Sequence, residues 1–379
     1  MPTPTQEELR RRKIVNITQE TVENAASTDY PGHWPGENHA WDLDLFKENL
    51  EIQFHANEPN DLSFSLIGVD TSVANAFRRI MIAEIPTLAI ETVFSTQNTS
   101  IIVDEVLSHR LGLIPLRGDR NALMNLKWYR RPDPDDPASA ESPESQYFDY
   151  NVCRMALKAK CTWKEGGKQL AAKGETDPEK LYNNHTIYAK DLKFLPYGAQ
   201  EQNWDPNDPL RAIHPDMLIV KMRPGQEIDM LMYCWKGVGA DHAKFSPVAT
   251  ASYRLLPTID ILKPIIGADA KKFAKCFPRG VIDLKPVTAA EAMENPDLHG
   301  KEGENKAVVK NAFRDTVSRE CLRHAEFKDK VKLGRVRDHF IFRVESTGQW
   351  DSDQLFLESV KLLKVKCEKM KRGLNGMMR

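Results

Sequence analysis

The chain is poor in the residues that make chemistry conspicuous. Its six cysteines, Cys153, Cys161, Cys234, Cys276, Cys321 and Cys367, are scattered, with no Cys-x-x-Cys pair. That spacing suggests neither a disulfide framework nor a zinc knuckle. No apolar run approaches the ~20 residues of a membrane span. Met1 is followed by Pro, Thr and the charges Glu7, Glu8 and Arg10 to Arg12, with no apolar signal segment, so an intracellular protein is expected. No phosphate loop, Gly-x-Ser-x-Gly elbow or His-Glu-x-x-His pair occurs. Neither sign of charge is in excess. A net charge of −1 argues against a protein that grips nucleic acid by its field alone.

What remains is ordinary globular material, 41% hydrophobic and 28% charged over 379 residues. It is long enough for two domains, or for one domain with an insertion. The most informative stretch begins at Asp70, Thr71 and Ser72, which can cap a helix. Val73, Ala76, Phe77 and Ile80 then recur at helical spacing as one apolar stripe, with Arg78 and Arg79 off it. Pro86 ends the helix, giving an expected span of 72–85. Such a stripe is usually a core face, and the sharper reading is a surface that pairs with another subunit. The C-terminal helix, expected over 353–374, repeats the theme. Phe356, Val360, Leu363, Cys367, Met370 and Leu374 alternate steps of four and three, an a/d seam over nearly three heptads.

Residues 1–46 are polar and broken by Pro31, Gly32, Pro35 and Gly36. They read as an extended arm held by Trp34, Trp41 and Leu45. Alternating apolar residues predict strands at 50–54 and 62–66, then 89–94, 100–103, 150–163, 185–189, 217–222 and 227–235, the last with one wet face. A short helical turn is expected at 105–111, stopping at Gly112. The segment 130–145 has four prolines and almost no apolar residues, so it reads as a loop. Residues 286–308 form a second polar segment.

The clusters that tempt a chemical reading are weak. Asp133, Asp135 and Asp136 could suggest a metal triad, yet prolines separate them and no strands flank them. His109 and Arg110 after Asp104 and Glu105 could suggest an acid–base pair, against the commoner hydrogen-bonded histidine. The basic runs at 10–13, 271–275 and 361–372 read as solvated faces, since no aromatic platform interleaves them.

The order of residues goes further than pattern. The run 74–86, with Asn75, Arg78 and Arg79, and the block around His109, Arg110 and Gly112 closely resemble the alpha-type subunits of cellular RNA polymerases. The blocks 241–253 and 339–348 resemble the same family, in register, so the resemblance spans roughly 47–379. It implies an α+β fold. A dimerisation domain would be split between about 47–86 and 247–379, behind an N-terminal extension of 1–46. A mostly β domain of about 87–246, carrying the loop 130–145, would be inserted in it. It also implies that Val73, Ala76, Phe77, Ile80, Phe356, Val360, Leu363, Cys367 and Met370 face a smaller alpha-like subunit. The pair would then be a platform for the large catalytic subunits and small assembly subunits. No catalytic residue, cofactor, metal or specific nucleic-acid contact is implied, and no membrane. The zinc cysteines of the RNA polymerase II branch are absent before Cys153, and Cys276 and Cys321 are too few for an iron–sulfur cluster. The long N-terminus and the expanded insertion after Gly267 resemble the branch shared by RNA polymerases I and III, which implies a nuclear protein that serves rRNA, 5S rRNA and tRNA synthesis. The alternatives are the paralogous RNA polymerase II subunit and a free-standing metal-dependent enzyme.

Overall fold

A computed structural model of the chain describes residues 5–24, 38, 40–129 and 147–377. The acidic loop 130–145, with Asp133, Asp135 and Asp136, and Trp34 lie outside the described residues. Helices and antiparallel strands are mixed along the chain, as an α+β fold requires.

The chain divides into two compact units. One comprises Met1–Ala56, Ser63–Asn75 and Ser252–Arg343, and the other Asn57–Leu62, Ala76–Ala251 and Val344–Arg379. These limits place 76–86 and 344–379 with the residues between them, where the family-derived boundaries set 47–86 and 247–379 apart from 87–246.

The first unit is built on a six-stranded sheet. Its path runs Val22–Glu23, Ile14–Ile17, Val331–Ser346, Asp61–Ile67 and Glu51–Asn57, with Val248–Ile261 also paired to Val331–Ser346. Phe64 and Phe342 stack face to face at 5.0 Å on it. The N-terminal segment departs from the expected extended arm. Gln6–Lys13 is a helix capped by Thr5, and Ile14–Ile17 is a strand registered from Ile14 opposite Val336 to Ile17 opposite Leu333. The reason is local alternation: Val15 and Ile17 turn inward, and Ile17 joins the core around Phe273, Phe277 and Phe327. Gly334 permits this pairing, since a Cβ there would lie 2.7 Å from Ile14 Cγ2. The expected anchors do not hold the segment, for Trp41 is 74% and Leu45 57% exposed. The polar stretch 286–308 is ordered too. Ile282–Pro286 pairs with Asn305–Val309, and a capping box of Thr288 and Glu291 starts the helix Ala289–Glu294 between them. Its hydrogen bonds, led by Lys306, pull the Glu291 carboxyl down to about 2.

The second unit centres on a four-stranded antiparallel sheet, ordered Lys193–Phe194, Val152–Lys160, Glu227–Gly237 and Thr87–Asn98. Ile228, Met230, Met232 and Cys234 turn into its core, each fully buried. The other face was expected to be wet. It is partly open only at Glu227 and Asp229, because from Leu231 on Tyr129 and Tyr147 close over it, with Tyr129 stacked on Trp235 at 4.5 Å and Tyr147 4.3 Å from Tyr233. Residues 100–103 are not a strand. The Asn98 carboxamide donates to Ile102 O at 2.9 Å and accepts from Ser100 N at 3.0 Å, and this local turn defeats the β-branched run. The helix Asp104–Gly112 follows, with Leu107 and Leu111 buried.

Candidate dimerisation surface

The helix Thr71–Ala83 starts one residue before and ends two residues before the expected 72–85. The Asp70 carboxylate accepts from Ser72 N at 2.8 Å, satisfying a free first-turn amide. At its end, Ala240 N donates to Ala83 O at 2.9 Å. Gly239 allows that approach, since a Cβ there would sit 2.3 Å from Ile82 O. The C-terminal helix runs Ser352–Met377, 26 residues or about 39 Å.

The two ends of this helix live in different environments. Its start is clamped by polar side chains. Ser352 N donates to Pro59 O at 2.9 Å, and Ser352 Oγ to Glu58 O at 2.7 Å. The Arg117 guanidinium forks onto both Asp351 oxygens at 2.9 and 3.3 Å. Arg120 binds Glu358 at 3.1 Å and lies 4.3 Å over the Trp350 ring, whose Nε1 donates to Pro86 O. Beside this clamp Arg117, Asp119, Trp204, Gln349 and Asp351 line a cavity of about 70 Å³. That is far below the ~300 Å³ of a small-molecule site. After Ser359 no residue of the helix is buried. Val360 is 41%, Met370 70% and Leu374 59% exposed.

The expected interface residues therefore sort into three groups. Phe77, Ile80 and Phe356 are covered by the chain itself, at 9%, 2% and 7% exposure. Phe77 meets Phe356 edge to face at 5.3 Å. Val73, Ala76 and Leu363 are half-buried, and Val360, Cys367 and Met370 are exposed. The motif residues are structural in setting: Asn75 and Arg78 are half-buried, Arg79 is exposed, and Arg110 donates to Leu218 O at 2.8 Å. His109 stands exposed beside it, not hydrogen-bonded in a core, and Asp104 is engaged instead by Asn98 at 2.7 Å. Gly112 is buried, its hydrogen facing Ile90 O where a Cβ would come within 3.2 Å. Sequence reasoning missed Arg117 and Arg120, because nothing local marks a cation whose carboxylate lies more than two hundred residues away.

The cysteines are unequal. Cys153 and Cys234 face each other across paired strands, and burial pushes the Cys153 thiol up to about 12. Cys367 is exposed on the seam. Among the described residues no helix is long and apolar enough to cross a membrane, and no group of three or more metal-ligating side chains gathers.

Residues 63–367 match the family described as the RNA polymerase Rpb3/Rpb11 dimerisation domain. The chain is 46% identical to DNA-directed RNA polymerases I and III subunit RPAC1 of Saccharomyces cerevisiae, over 94% of this chain and 97% of that protein. It is 41% identical to the subunit of the same name from Homo sapiens, over 96% of this chain and 95% of that one. DNA-directed RNA polymerases II, IV and V subunit 3 of Arabidopsis thaliana is 30% identical, over 80% and 85%.

Proposed function

The chain belongs to the RNA polymerase Rpb3/Rpb11 dimerisation-domain family, and on that premise we propose that it is the larger alpha-like subunit shared by RNA polymerases I and III. Its role is architectural. It pairs with a smaller alpha-like subunit, and the heterodimer is the platform on which the large catalytic subunits assemble in the nucleus, for rRNA, 5S rRNA and tRNA synthesis. The dimerisation domain is formed by about 47–86 and 247–379 around the inserted 87–246, and no group of this chain enters the chemistry of transcription.

One observation carries the reading. The C-terminal helix is fixed at its base by Arg117 and Arg120, and beyond Ser359 it offers an apolar seam that its own chain leaves open. Exposed apolar surface arranged as a continuous stripe marks an interface. The identities of 46% and 41% to subunits named for polymerases I and III, against 30% to one named for polymerases II, IV and V, support the assignment within the family.

The test is affinity purification of the tagged chain with identification of its partners. Recovery of a smaller alpha-like subunit with the large subunits of both polymerases is expected. Recovery of RNA polymerase II subunits, with one zinc per chain, would refute the assignment.

A further inference from the structure

The seam on the C-terminal helix comes with a charge pattern that pairing alone does not require. Taking Val360, Cys367 and Leu374 as a positions and Leu363, Met370 and Met377 as d positions, the bordering e and g positions hold Lys364, Lys366, Lys371 and Gly373. Every charged border residue is a lysine. From Val360 to Met377 the helix carries five lysines and Arg372 against one carboxylate, Glu368, in a chain whose net charge is −1. The cations are therefore concentrated here and balanced elsewhere.

Two of these cations are already engaged. Lys361 binds Glu358 at 2.7 Å and Lys366 binds Glu84 at 2.6 Å. Lys364 and Lys371 are exposed, and among the described residues neither has a carboxylate partner. Border residues of paired helices meet across the interface, where opposite charges attract and like charges repel. A second copy of this helix would set lysine against lysine. A helix with the same apolar seam and carboxylates at its borders would neutralise them. The far end of the helix also wants a partner. Gly373 and Gly376 lie in open space, and each weakens a solvated helix by about 1 kcal/mol relative to alanine.

We propose that Lys364 and Lys371, beside the Val360–Met370 seam, select an apolar-seamed helix with acidic borders and reject a second copy of this chain. The inference rests on the reading that this helix is a docking surface, and it names the partner's chemistry: a protein helix, amphipathic and acid-flanked. Nucleic acid suits the surface less well, because the cations alternate with exposed Val360, Met370 and Leu374 and no aromatic ring stands among them.

The experiment uses the full chain and two synthetic helical peptides. They share one Leu/Val seam and differ only at the border positions, all Glu in one and all Lys in the other. Binding is followed by fluorescence anisotropy at low and high salt. The Glu peptide should bind about tenfold tighter than the Lys peptide at low salt, with the gap narrowing as salt screens it. The Lys364→Glu/Lys371→Glu chain should reverse the order. An equimolar mixture of that variant with the wild type should associate more than either alone in sedimentation. Equal binding of both peptides, an unreversed order in the variant, or self-association of the wild type matching that of the mixture would overturn the charge selection while leaving docking intact. Binding of neither peptide, together with wild-type recovery of the polymerase partner by Val360→Asp/Met370→Asp, would overturn the docking reading itself. Random-sequence duplex DNA that bound more tightly than the Glu peptide, and was lost in the lysine variant, would overturn the assignment to a protein partner.

Discussion

Phe77→Ala separates the covered part of the stripe from its open part. The ring is 9% exposed and meets Phe356, itself 7% exposed, edge to face at 5.3 Å. Truncating a buried phenylalanine costs about 3–5 kcal/mol, and losing the edge-to-face pair accounts for about 0.5–1.5 kcal/mol of interaction beyond area. Domains are stable by only about 5–15 kcal/mol, so this is a large fraction. The loss should fall on the docking of the C-terminal helix's first turns, where Leu355 and Phe356 are buried. Native-state hydrogen exchange reads it directly. Amide protection from Leu355 to Ser359 should drop roughly a hundred- to a few-thousand-fold, at about 1.4 kcal/mol per factor of ten. Met370→Ala is the matched control. At 70% exposure it should leave that protection within about 0.5 kcal/mol of wild type, yet weaken recovery of the smaller subunit. Unchanged protection in Phe77→Ala would refute the claim that this ring belongs to the chain's own core. Full recovery of the smaller subunit by both variants would refute the assignment of the stripe to an interface.

Three further outcomes follow from the same structure. Cys367 should react with an alkylating reagent in the free chain and be protected in the heterodimer, while Cys153 and Cys234, buried with raised pKa, stay unreactive in both; mass mapping of the labelled peptides checks this. Deleting 131–145 should leave subunit assembly and thermal stability nearly unchanged, since Tyr129 and Tyr147 already bring the flanks together with ring centroids 5.6 Å apart and loop closure depends weakly on length; a fall in co-purification would mark the segment as a docking element. Acid should destabilise the first unit through His339. Burial lowers its imidazole pKa, Asp338 and Glu51 oppose that, and His55 reinforces it from across Ser65, to which both rings bond at 2.8 Å. As pH falls through about 6.5 the unfolded chain takes up a proton that folded His339 resists, so stability declines on the acid side; His339→Gln should flatten that part of a melting-temperature profile.

The parts of the fold that sequence displayed are those with a sustained period. The Asp70-capped helix, the strand around Met230 and Met232, and the heptads of the C-terminal helix each repeat long enough for one face to declare itself. The parts that it hid depend on distant partners or on single side chains. Ile14, Val15 and Ile17 are too few to announce a strand, and they become one because Gly334 leaves room beside them. The run Ile101, Ile102 and Val103 has β-branched residues enough for a strand, but the Asn98 carboxamide claims the backbone first. At the surface, the spacing of Phe77 and Phe356 marked both as apolar stripe. Nothing in spacing could tell that the two rings face each other, with the open seam beginning one turn later.

That division within one helix has a physical logic. A stripe that was wholly open would leave the isolated chain with two long apolar faces, prone to misassociation before a partner arrived. A stripe that was wholly covered would leave nothing to recognise. Here the first turns are consumed by Phe77, Arg117 and Arg120, which fix the direction in which the helix leaves the unit. The remaining turns keep the same heptad phase, so the direction set by the clamp also sets which apolar face is left open. On the proposed pairing Val360 and Met370, both exposed, would supply apolar area, and Lys364 and Lys371 would supply choice. Area alone does not discriminate between partners, because a second copy of this helix presents the same seam. The lysines change that comparison. On that proposal they would cost the self-pair a like-charge border and cost the acid-flanked pair nothing, which would bias a chain whose apolar surface could pair with itself toward a different one.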